Sequence, residues 1–249
     1  MTPYYYDLHI HSCLSPCADD DMTPNNIAGM AALKGLNLLA LTDHNSCKNC
    51  PAFFEACKKQ GIIPIAGMEL STAEDIHLVC LFETLEAAMA FDKEIHSHLI
   101  PIKNRADIFG NQLILNGEDE VIGEEETLLI SATNLWVQDA VALARQFGAY
   151  VRPAHIDRES NGIVAILGDI PREYGFDCFE FNQAENIGAY RKRFPFIAEN
   201  SILVCSDAHR LWEINEAEHS LLLNDDPYSS SLVRQRLFEY LNDLGTICS

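Results

Sequence analysis

Residues 4–12 of the chain read YYYDLHIHS, an apolar run that ends in His9 and His11. Residues two apart on a β-strand share a face, with Cα atoms about 6.5 Å apart, so both imidazoles can reach one ion. Two structural histidines would give the same pattern. The stretch therefore predicts a metal site only if further ligands come from elsewhere in the chain.

Similar polar residues end the other apolar runs. An ionisable side chain at the end of a buried strand is costly unless it is paired or bound to a metal. In an α/β barrel, side chains that follow several strands meet at one mouth, where such folds carry their chemistry. The residues at these positions are Asp43, His44, Glu69, His155, Glu180, Asp207 and His209. His77 lies at the start of its predicted strand and not at its end, so this reasoning does not include it.

Apolar runs alternate with helical segments, which predicts a parallel sheet covered on both faces, either open or closed into a barrel. The length of 249 residues fits one α/β barrel of about 250 residues, so we expect a single domain over residues 1–249. The predicted strands are 4–10, 38–42, 62–69, 76–82, 150–154, 178–181 and 202–205. The predicted helices are 24–33, 53–59, 85–98, 134–147 and 229–244, and a hairpin is predicted within 111–121.

The chain carries 37 acidic and 17 basic residues, a formal net charge of −20. Because a groove for long nucleic acid needs a clustered basic face and no such run occurs, we expect no long nucleic acid as a partner. No apolar run reaches about 18 residues, and no signal peptide is visible at the N-terminus. We therefore expect a cytoplasmic protein without membrane contact, whose oligomeric state the sequence does not predict.

Nine cysteines in a chain without an export signal are expected to be thiols or ligands instead of disulfides. Cys47 and Cys50 follow the Thr42-Asp43-His44 motif, and with Cys13 and Cys17 they could form a Cys₄ zinc site. The two pairs are thirty residues apart, a looser spacing than most zinc modules have. We favour unconnected thiols over this zinc site.

Residue type also indicates which ions would bind. His9 and His11 together with the carboxylates of Glu69 and Asp207 form a His₂-carboxylate₂ set, which suits Zn, Mn or Fe better than Ca. The remaining histidines are too many for one ion, so we expect a cluster of ions. The spacing alone does not indicate which reaction occurs.

Taken together, the motifs resemble those of the polymerase-and-histidinol-phosphatase (PHP) family, in the same order along the chain. They are DLHIHS at 7–12, TDHN at 42–45, GME at 67–69, HL at 77–78, PAH at 153–155 and SDAH at 206–209. The resemblance implies a distorted seven-stranded (β/α) TIM-like barrel with its active site at the C-terminal mouth. It also implies two or three divalent transition metal ions (Zn, Mn or Fe) and a phosphate ester as the substrate, here a small phosphorylated molecule.

The resemblance assigns ligands residue by residue. It gives His9, His11, Glu69 and Asp207 to the first ion, and it makes Glu69 a bridge to a second ion that His77 and His155 also hold. His44 and His209 belong to the third ion. Relatives carry a further ligand for this ion at the positions that are Pro16 and Cys17 here. Either Cys17 binds as a thiolate, which we favour, or Asp19 or Asp20 reaches the site, or the third ion binds weakly.

The resulting hypothesis is the metal-dependent hydrolysis of a small phosphomonoester or short phosphodiester. A metal-bound hydroxide held by Glu69, His155 and Asp207 would attack phosphorus in line. Arg158 and Arg210 would bind the phosphate.

Asp43 and Glu180 would orient ligands from behind the site. Two alternatives stay open. One is a metal-dependent amidohydrolase or esterase that acts on a carbonyl substrate, and the other is a non-catalytic, metal-binding regulatory domain.

Overall fold

The computed structural model describes residues 1–226 and 228–247, and it describes no side chains for residues 245–247. The predicted domain extends to residue 249, so residues 227, 248 and 249 of that prediction lie outside the described residues. The strands are β1 Thr2–Ile10, β2 Leu38–Leu41, β3 Ile63–Ser71, β4 His77–Phe82, β5 Leu113–Leu115, β6 Val121–Glu124, β7 Tyr150–Pro153, β8 Phe179–Phe181, β9 Ile202–Val204 and β10 Ser220–Leu223. The α-helices are α1 Pro24–Leu33, α2 Cys50–Gln60, α3 Leu85–His96, α4 Ala106–Phe109, α5 Val137–Gln146, α6 Ile163–Leu167, α7 Ile187–Arg193 and α8 Ser230–Ile247.

The predicted strands and the predicted hairpin are confirmed, as are the five predicted helices, within a few residues at their ends. Helix α1 begins as its sequence predicts, because the Thr23 side chain caps it and Pro24 occupies the first helical turn. Four elements were not predicted: the short helices α4, α6 and α7 and the strand β10. In the part of the chain that the structure describes, no helix has both the length and the apolar composition needed to cross a membrane.

Six strands form the main sheet, in the order β10-β1-β2-β3-β4-β7, and this sheet curls into a half-barrel. The α/β class is therefore confirmed, but the prediction of a wholly parallel sheet is wrong. Strand β4 is antiparallel to both β3 and β7, and β10 is antiparallel to β1. Only five residues separate Ser71 from His77, whereas a parallel crossover needs about a dozen or more.

Two short parallel strands, β8 and β9, lie between the end of β7 and the end of β1. The Ile156 N–H donates to Glu180 O at 2.9 Å, which connects the chain after β7 to β8. At the other side, the Asp207 N–H donates to His9 O and the His11 N–H donates to Ala208 O, both at 3.0 Å. These bonds bring the chain segments after β1, β7 and β9 to the same end of the sheet.

Apolar side chains fill both faces of the curled sheet. The concave face carries a cluster that includes Leu8, Ile65 and Leu81, and helix α8 contributes Leu237 and Leu241 to it. The larger cluster packs helices α1, α2, α3 and α5 against the convex face. The polar residues at one end of the sheet are therefore held by a core on both sides.

Gly67 lies where strands β2, β3 and β4 approach most closely. A Cβ atom at this position would lie 2.8 Å from Thr42 Cγ2 and 2.9 Å from Leu81 Cδ2, and real Cβ atoms do not come so close. The glycine thus permits the strand spacing two residues before Glu69.

We predict that Gly67→Ala lowers the free energy of unfolding by about 1–3 kcal/mol, the usual cost of overpacking a core. Gly29→Ala is the matched control, because a Cβ at Gly29 in helix α1 meets nothing within 4 Å. That control is expected to stabilise the protein by about 0.5–1 kcal/mol, since alanine is the better helix former. Urea unfolding of both variants measures the difference, and equal stability of Gly67→Ala and the wild type would contradict the prediction.

Candidate metal centre

Eight predicted ligands lie together at one end of the sheet. They are His9, His11, His44, Glu69, His77, His155, Asp207 and His209. His77 joins them because β4 is antiparallel to β3, so the first residue of β4 lies beside the last residues of β3. The expectation that site residues follow strand ends did not include His77 for that reason. The short β3–β4 connection could have indicated an antiparallel pair and thus the position of His77.

The first group of ligand atoms contains His9, His11, Glu69 and Asp207, all buried. The Nε2 atoms of His9 and His11 are 3.2 Å apart. His9 Nε2 lies 3.3 Å from a carboxylate oxygen of Glu69 and 3.3 Å from one of Asp207, and His11 Nε2 lies 3.1 Å from Asp207. Four ligands about 2.0–2.2 Å from one tetrahedral ion would be about 3.3–3.6 Å apart, so these four atoms fit a single cation.

Glu69 connects this group to a second one. Its two oxygens lie 3.0 Å from His44 Nδ1 and 2.9 Å from His77 Nδ1, and these three residues form the second group. His155 Nε2 is 3.1 Å from the same Glu69 oxygen as His77, although His155 is not a member of the three groups. Glu69 thus belongs to two of the three groups, and its role as a bridge between two ions stays a prediction.

The third group contains His11, His44 and His209. The rings of His11 and His209 stack with centroids 4.2 Å apart. Cys17 is exposed at the rim of the site and belongs to none of the groups, so its role as a ligand stays a prediction. Of the two alternatives, Asp19 faces Arg210 at 3.6 Å and Asp20 accepts hydrogen bonds from Asn111.

Burial and neighbouring charges shift the pKa values of the donor set. Burial alone would raise the pKa of the Glu69 and Asp207 carboxyls, but the neighbouring histidines hold both pKa values well below their usual range. Burial, together with the charge of His11, lowers the pKa of His44 to about 4 and that of His209 to about 3. Burial would also lower the pKa values of His9 and His11, but the carboxylates beside them raise the pKa of His11 to about 9 and hold that of His9 well above its usual range. At neutral pH the site therefore offers ionised carboxylates and the neutral imidazoles of His44 and His209, and a cation held by His9 and His11 would displace their protons.

Four buried atoms of this site lack a hydrogen-bond partner among the described residues. They are His44 Nδ1, Glu69 Oε2, His155 Nδ1 and Asp207 Oδ1. Buried polar atoms are normally satisfied, and an unmatched one calls for an ion, a water or strain as its explanation. These four atoms lie in β3 and in the segments after β2, β7 and β9, yet they meet at one place, which fits a cation site.

Glu180, predicted to orient ligands, contacts the Nδ1 atom of His9. Its Oε1 accepts from His9 Nδ1 at 2.6 Å, and its Oε2 accepts from the guanidinium of Arg152 at 2.9 Å. Burial would raise the pKa of Glu180, but the charges of His9 and Arg152 hold it at about 2. An ionised Glu180 fixes the ring of His9 so that Nε2 faces the ions.

Arg152 is the residue that sequence reasoning missed here. It is fully buried inside the sheet, and it also donates to Leu8 O at 2.9 Å. An arginine inside the apolar run GAYVRPA was the available signal, because a buried charge requires a buried partner.

Asp43, the other predicted orienting residue, acts on His11 through Ser15. Asp43 accepts hydrogen bonds from the hydroxyls of Ser12 at 2.6 Å and Ser15 at 2.7 Å. Ser15 Oγ lies 2.9 Å from His11 Nδ1 and also accepts from the His44 N–H at 3.1 Å. Ser15 therefore sets the orientation of His11, a role that no periodicity in the sequence indicates.

Two ligands have strained backbones. His155 has φ 25° and Asp207 has φ 54°, a region that residues other than glycine rarely occupy. The His155 N–H donates to Glu180 at 3.2 Å and the Asp207 N–H donates to the carbonyl of His9 at 3.0 Å. Such strain persists only where surrounding bonds fix it, and it is concentrated at functional sites.

A polar cavity of about 570 Å³ opens beside these ligands. Asp207, His209, Arg158 and Arg210 line it, so both predicted phosphate-binding arginines face the same space. Arg158 forms an ion pair with Asp207, while its side chain is still 43% exposed. Arg210 is held by Glu213 at 3.0 Å. The volume is in the range of small-ligand sites.

The cysteines do not gather into a metal site. Cys13, Cys47 and Cys50 are buried thiols, and Cys47 Sγ lies 3.2 Å from Gly67 O. Among the described residues, the groups of possible metal ligands contain no cysteine. This arrangement agrees with unconnected thiols and not with the Cys₄ alternative.

We predict that Ser15→Ala lowers the affinity for a divalent metal about 10- to 100-fold, as the loss of a residue that orients a ligand usually does. The reason is that His11 loses the hydroxyl that fixes its ring. Competition with a chromogenic chelator measures the affinity, and the exposed Ser97→Ala is the matched control. Unchanged affinity in Ser15→Ala would show that Ser15 does not position His11.

Comparison with known proteins gives both sequence relatives and structural neighbours. A protein of Haemophilus influenzae named 5'-3' exoribonuclease is 38% identical over 79 residues, which is 30% of this chain and 28% of that protein. An error-prone DNA polymerase of Symbiobacterium thermophilum is 36% identical over 77 residues, 31% of this chain and 7% of the polymerase. The chain thus covers under a third of each of these relatives.

Two solved structures share the fold at low identity. The lesion-specific endonuclease of Pyrococcus furiosus matches with a TM-score of 0.56 and 20% identity, over 84% of this chain and 49% of that one. A protein of Bifidobacterium adolescentis whose name gives it as a metal-dependent phosphoesterase matches with a TM-score of 0.55 and 19% identity, over 95% of this chain and 97% of that one. At such identities the likeness shows the fold alone.

These comparisons correct the prediction about partners. The sequence predicted a small phosphorylated substrate and excluded long nucleic acid. That prediction is wrong, because the matched proteins include one named as an exoribonuclease and an endonuclease that was crystallised with a 27-mer duplex. A net charge of −20 describes the whole surface, whereas a phosphate meets only the groups beside it.

The family comparison covers most of the motifs described above. The model of the PHP domain matches residues 7–153, a segment that begins at the first histidine motif and ends two residues before His155. This segment is more than half of the 249 residues. The chain belongs to the PHP domain family.

Proposed function

We propose that this protein is a metal-dependent nuclease that hydrolyses phosphodiester bonds of nucleic acid. The observation that carries the proposal is the position of three connected ligand groups beside a polar cavity that two arginines line. Family membership supports a metal-dependent hydrolase of the phosphoesterase or nuclease type. The names of the matched exoribonuclease and endonuclease support nucleic acid as the substrate.

The proposal includes the form of the barrel. Strands β1, β2, β3, β4, β7, β8 and β9 would form the seven-stranded distorted barrel, with β10 as an added edge strand. The hydrogen bonds from Ile156 to β8 and between the segments after β1 and β9 support this closure. The mouth of that barrel is the end at which the ligand groups lie, and the domain would extend over residues 1–249.

Two or three divalent ions of the Zn, Mn or Fe type would be held by the three groups. His9, His11, Glu69 and Asp207 would hold one ion, and Glu69 would share a second with His77, His44 and His155. His11, His44 and His209 form the group for a third. Such ions, when bound, lower the pKa of water towards neutrality and offset the charge on phosphoryl oxygens.

The protein's own residues would position the substrate. Arg158 pairs with Asp207 and is partly exposed, so its guanidinium can contact a phosphate without leaving the site. Arg210, in the segment after β9, lines the same cavity. Its paired N–H donors suit phosphate oxygens. Asp207 lines this cavity and also a smaller one that Glu69 and His155 line, and we propose these three as the catalytic residues.

The acidic surface does not oppose this function. The ligand groups, together with His155, contain two carboxylates and six histidines, so two or three divalent ions would leave the centre positively charged. Arg158 and Arg210 add to that positive charge at the cavity. The remaining surface would repel long stretches of the strand, which favours contacts with a few nucleotides near the cleaved bond over a long groove.

We predict that His9→Ala and Asp207→Ala lose bound metal and turnover together, because each removes a ligand of the first group. Elemental analysis measures the metal, and cleavage of labelled RNA and DNA oligonucleotides measures turnover. The exposed His96→Ala is the matched control and should keep both. Full turnover in both site variants would contradict the assignment, and activity on amides or carboxylic esters alone would favour the carbonyl alternative.

We further predict that Arg158→Ala lowers kcat/KM for the oligonucleotide about 10- to 100-fold, the usual effect of losing a hydrogen bond to a charged group. Bound metal should stay near the wild-type level, since Arg158 contacts a ligand but is not one. Steady-state kinetics and elemental analysis together measure the two effects. Unchanged kinetics would show that Arg158 does not contact the phosphate.

A further inference from the structure

Trp212 lies on the short 3-10 helix Leu211–Glu213, three residues after the ligand His209. It is 68% exposed, and its indole ring belongs to none of the hydrophobic clusters of the described residues. The ring is therefore free to contact a ligand.

The backbone that carries Trp212 is firmly held. Glu213 accepts hydrogen bonds from the N–H groups of His209 at 3.0 Å and Arg210 at 3.1 Å. Lys34, the residue that follows helix α1, donates to Trp212 O at 3.1 Å. The ring is thus presented to solvent from a rigid segment, and its exposure is not the result of a loose loop.

The ring lies beside Arg210 and Glu213, which line the cavity that adjoins the candidate metal centre, although Trp212 itself does not line it. The Arg210 guanidinium lies 5.9 Å from the centroid of the Trp212 ring, and the same guanidinium lines the cavity with Asp207 and His209. Arg210 therefore has a phosphate site on one side and an aromatic surface on the other. A nucleotide offers the matching pair of groups, because its phosphate is joined to a flat base.

We propose that Trp212 stacks on the nucleobase next to the phosphate that Arg210 binds, and that the substrate is single-stranded at this position. This inference rests on the proposed nuclease function and specifies its substrate. Aromatic side chains bind bases of single strands by stacking, with little dependence on sequence. In a duplex the bases already stack on one another, so a base reaches Trp212 only when it is unpaired.

Binding of a short single-stranded oligoadenylate tests this contact apart from turnover. The protein is kept in a chelator so that no cleavage occurs, and quenching of tryptophan fluorescence measures binding. Because stacking contributes about 1–3 kcal/mol per base, Trp212→Ala should weaken binding about 10-fold or more. The quenching seen in the wild type should also disappear.

Trp136→Ala is the matched control, because Trp136 is the other tryptophan of the chain and is also exposed, at 61%. It should bind and be quenched like the wild type. Equal affinity of Trp212→Ala and the wild type, or a wild type without quenching, would overturn the proposal. So would a loss of affinity in Trp136→Ala as large as that in Trp212→Ala.

A second experiment removes the base instead of the ring. Cleavage of an oligonucleotide with an abasic nucleotide next to the scissile phosphate is compared with cleavage of the complete strand, for the wild type and Trp212→Ala. If the base stacks on Trp212, the variant should lose kcat/KM on the complete strand and equal the wild type on the abasic one. An equal loss on both strands would overturn the stacking, whereas a wild type that cleaves neither strand would overturn the nuclease function.

Discussion

The structure depends on keeping the buried carboxylates of Glu69 and Asp207 charged. Neither carboxylate is exposed to enough water to be stable alone, and each lies within about 3.3 Å of a histidine nitrogen. The interaction requires β1, β3 and the segment after β9 to end at one place. Because a buried charge without a partner costs several kcal/mol, this requirement selects the strand order as strongly as the apolar core does.

A buried ion pair, Arg152 with Glu180, supports the site through its contact with His9. Arg152 and Glu180 form an ion pair inside the sheet at 2.7 Å, and Glu180 Oε1 lies 2.6 Å from His9 Nδ1. Asp7 also accepts a hydrogen bond from the Ser206 N–H, which connects β1 to the segment that carries Asp207. Glu180, Arg152 and Asp7, which belong to none of the ligand groups, therefore help to position residues that do.

Much of the centre could be predicted because its residues end strands, and strand ends are visible in the sequence. Glu69, His155 and Asp207 each follow an apolar run directly. Strand direction was not visible in the same way, so the antiparallel β4 and the reason for the position of His77 were missed. Ser15 was missed because it lies in a loop, where no periodicity relates a residue to its neighbours in space. Within the described residues, the order of short strands such as β8 and β9 also depends on contacts far apart in the chain.

The wrong exclusion of nucleic acid has a different cause. It used the net charge of the whole chain, whereas a bound phosphate responds to the charges close to the cavity. Salt screens the effect on a phosphate in the cavity of any exposed acidic residue that lies more than a Debye length away, about 8 Å at physiological ionic strength. Arg158 and Arg210 lie at the cavity itself, and bound cations would outweigh the two carboxylates there. The acidic surface then opposes extended contacts while the centre attracts a single phosphate. A protein of this charge distribution would select nucleotides at an accessible, unpaired position and release the rest of the strand.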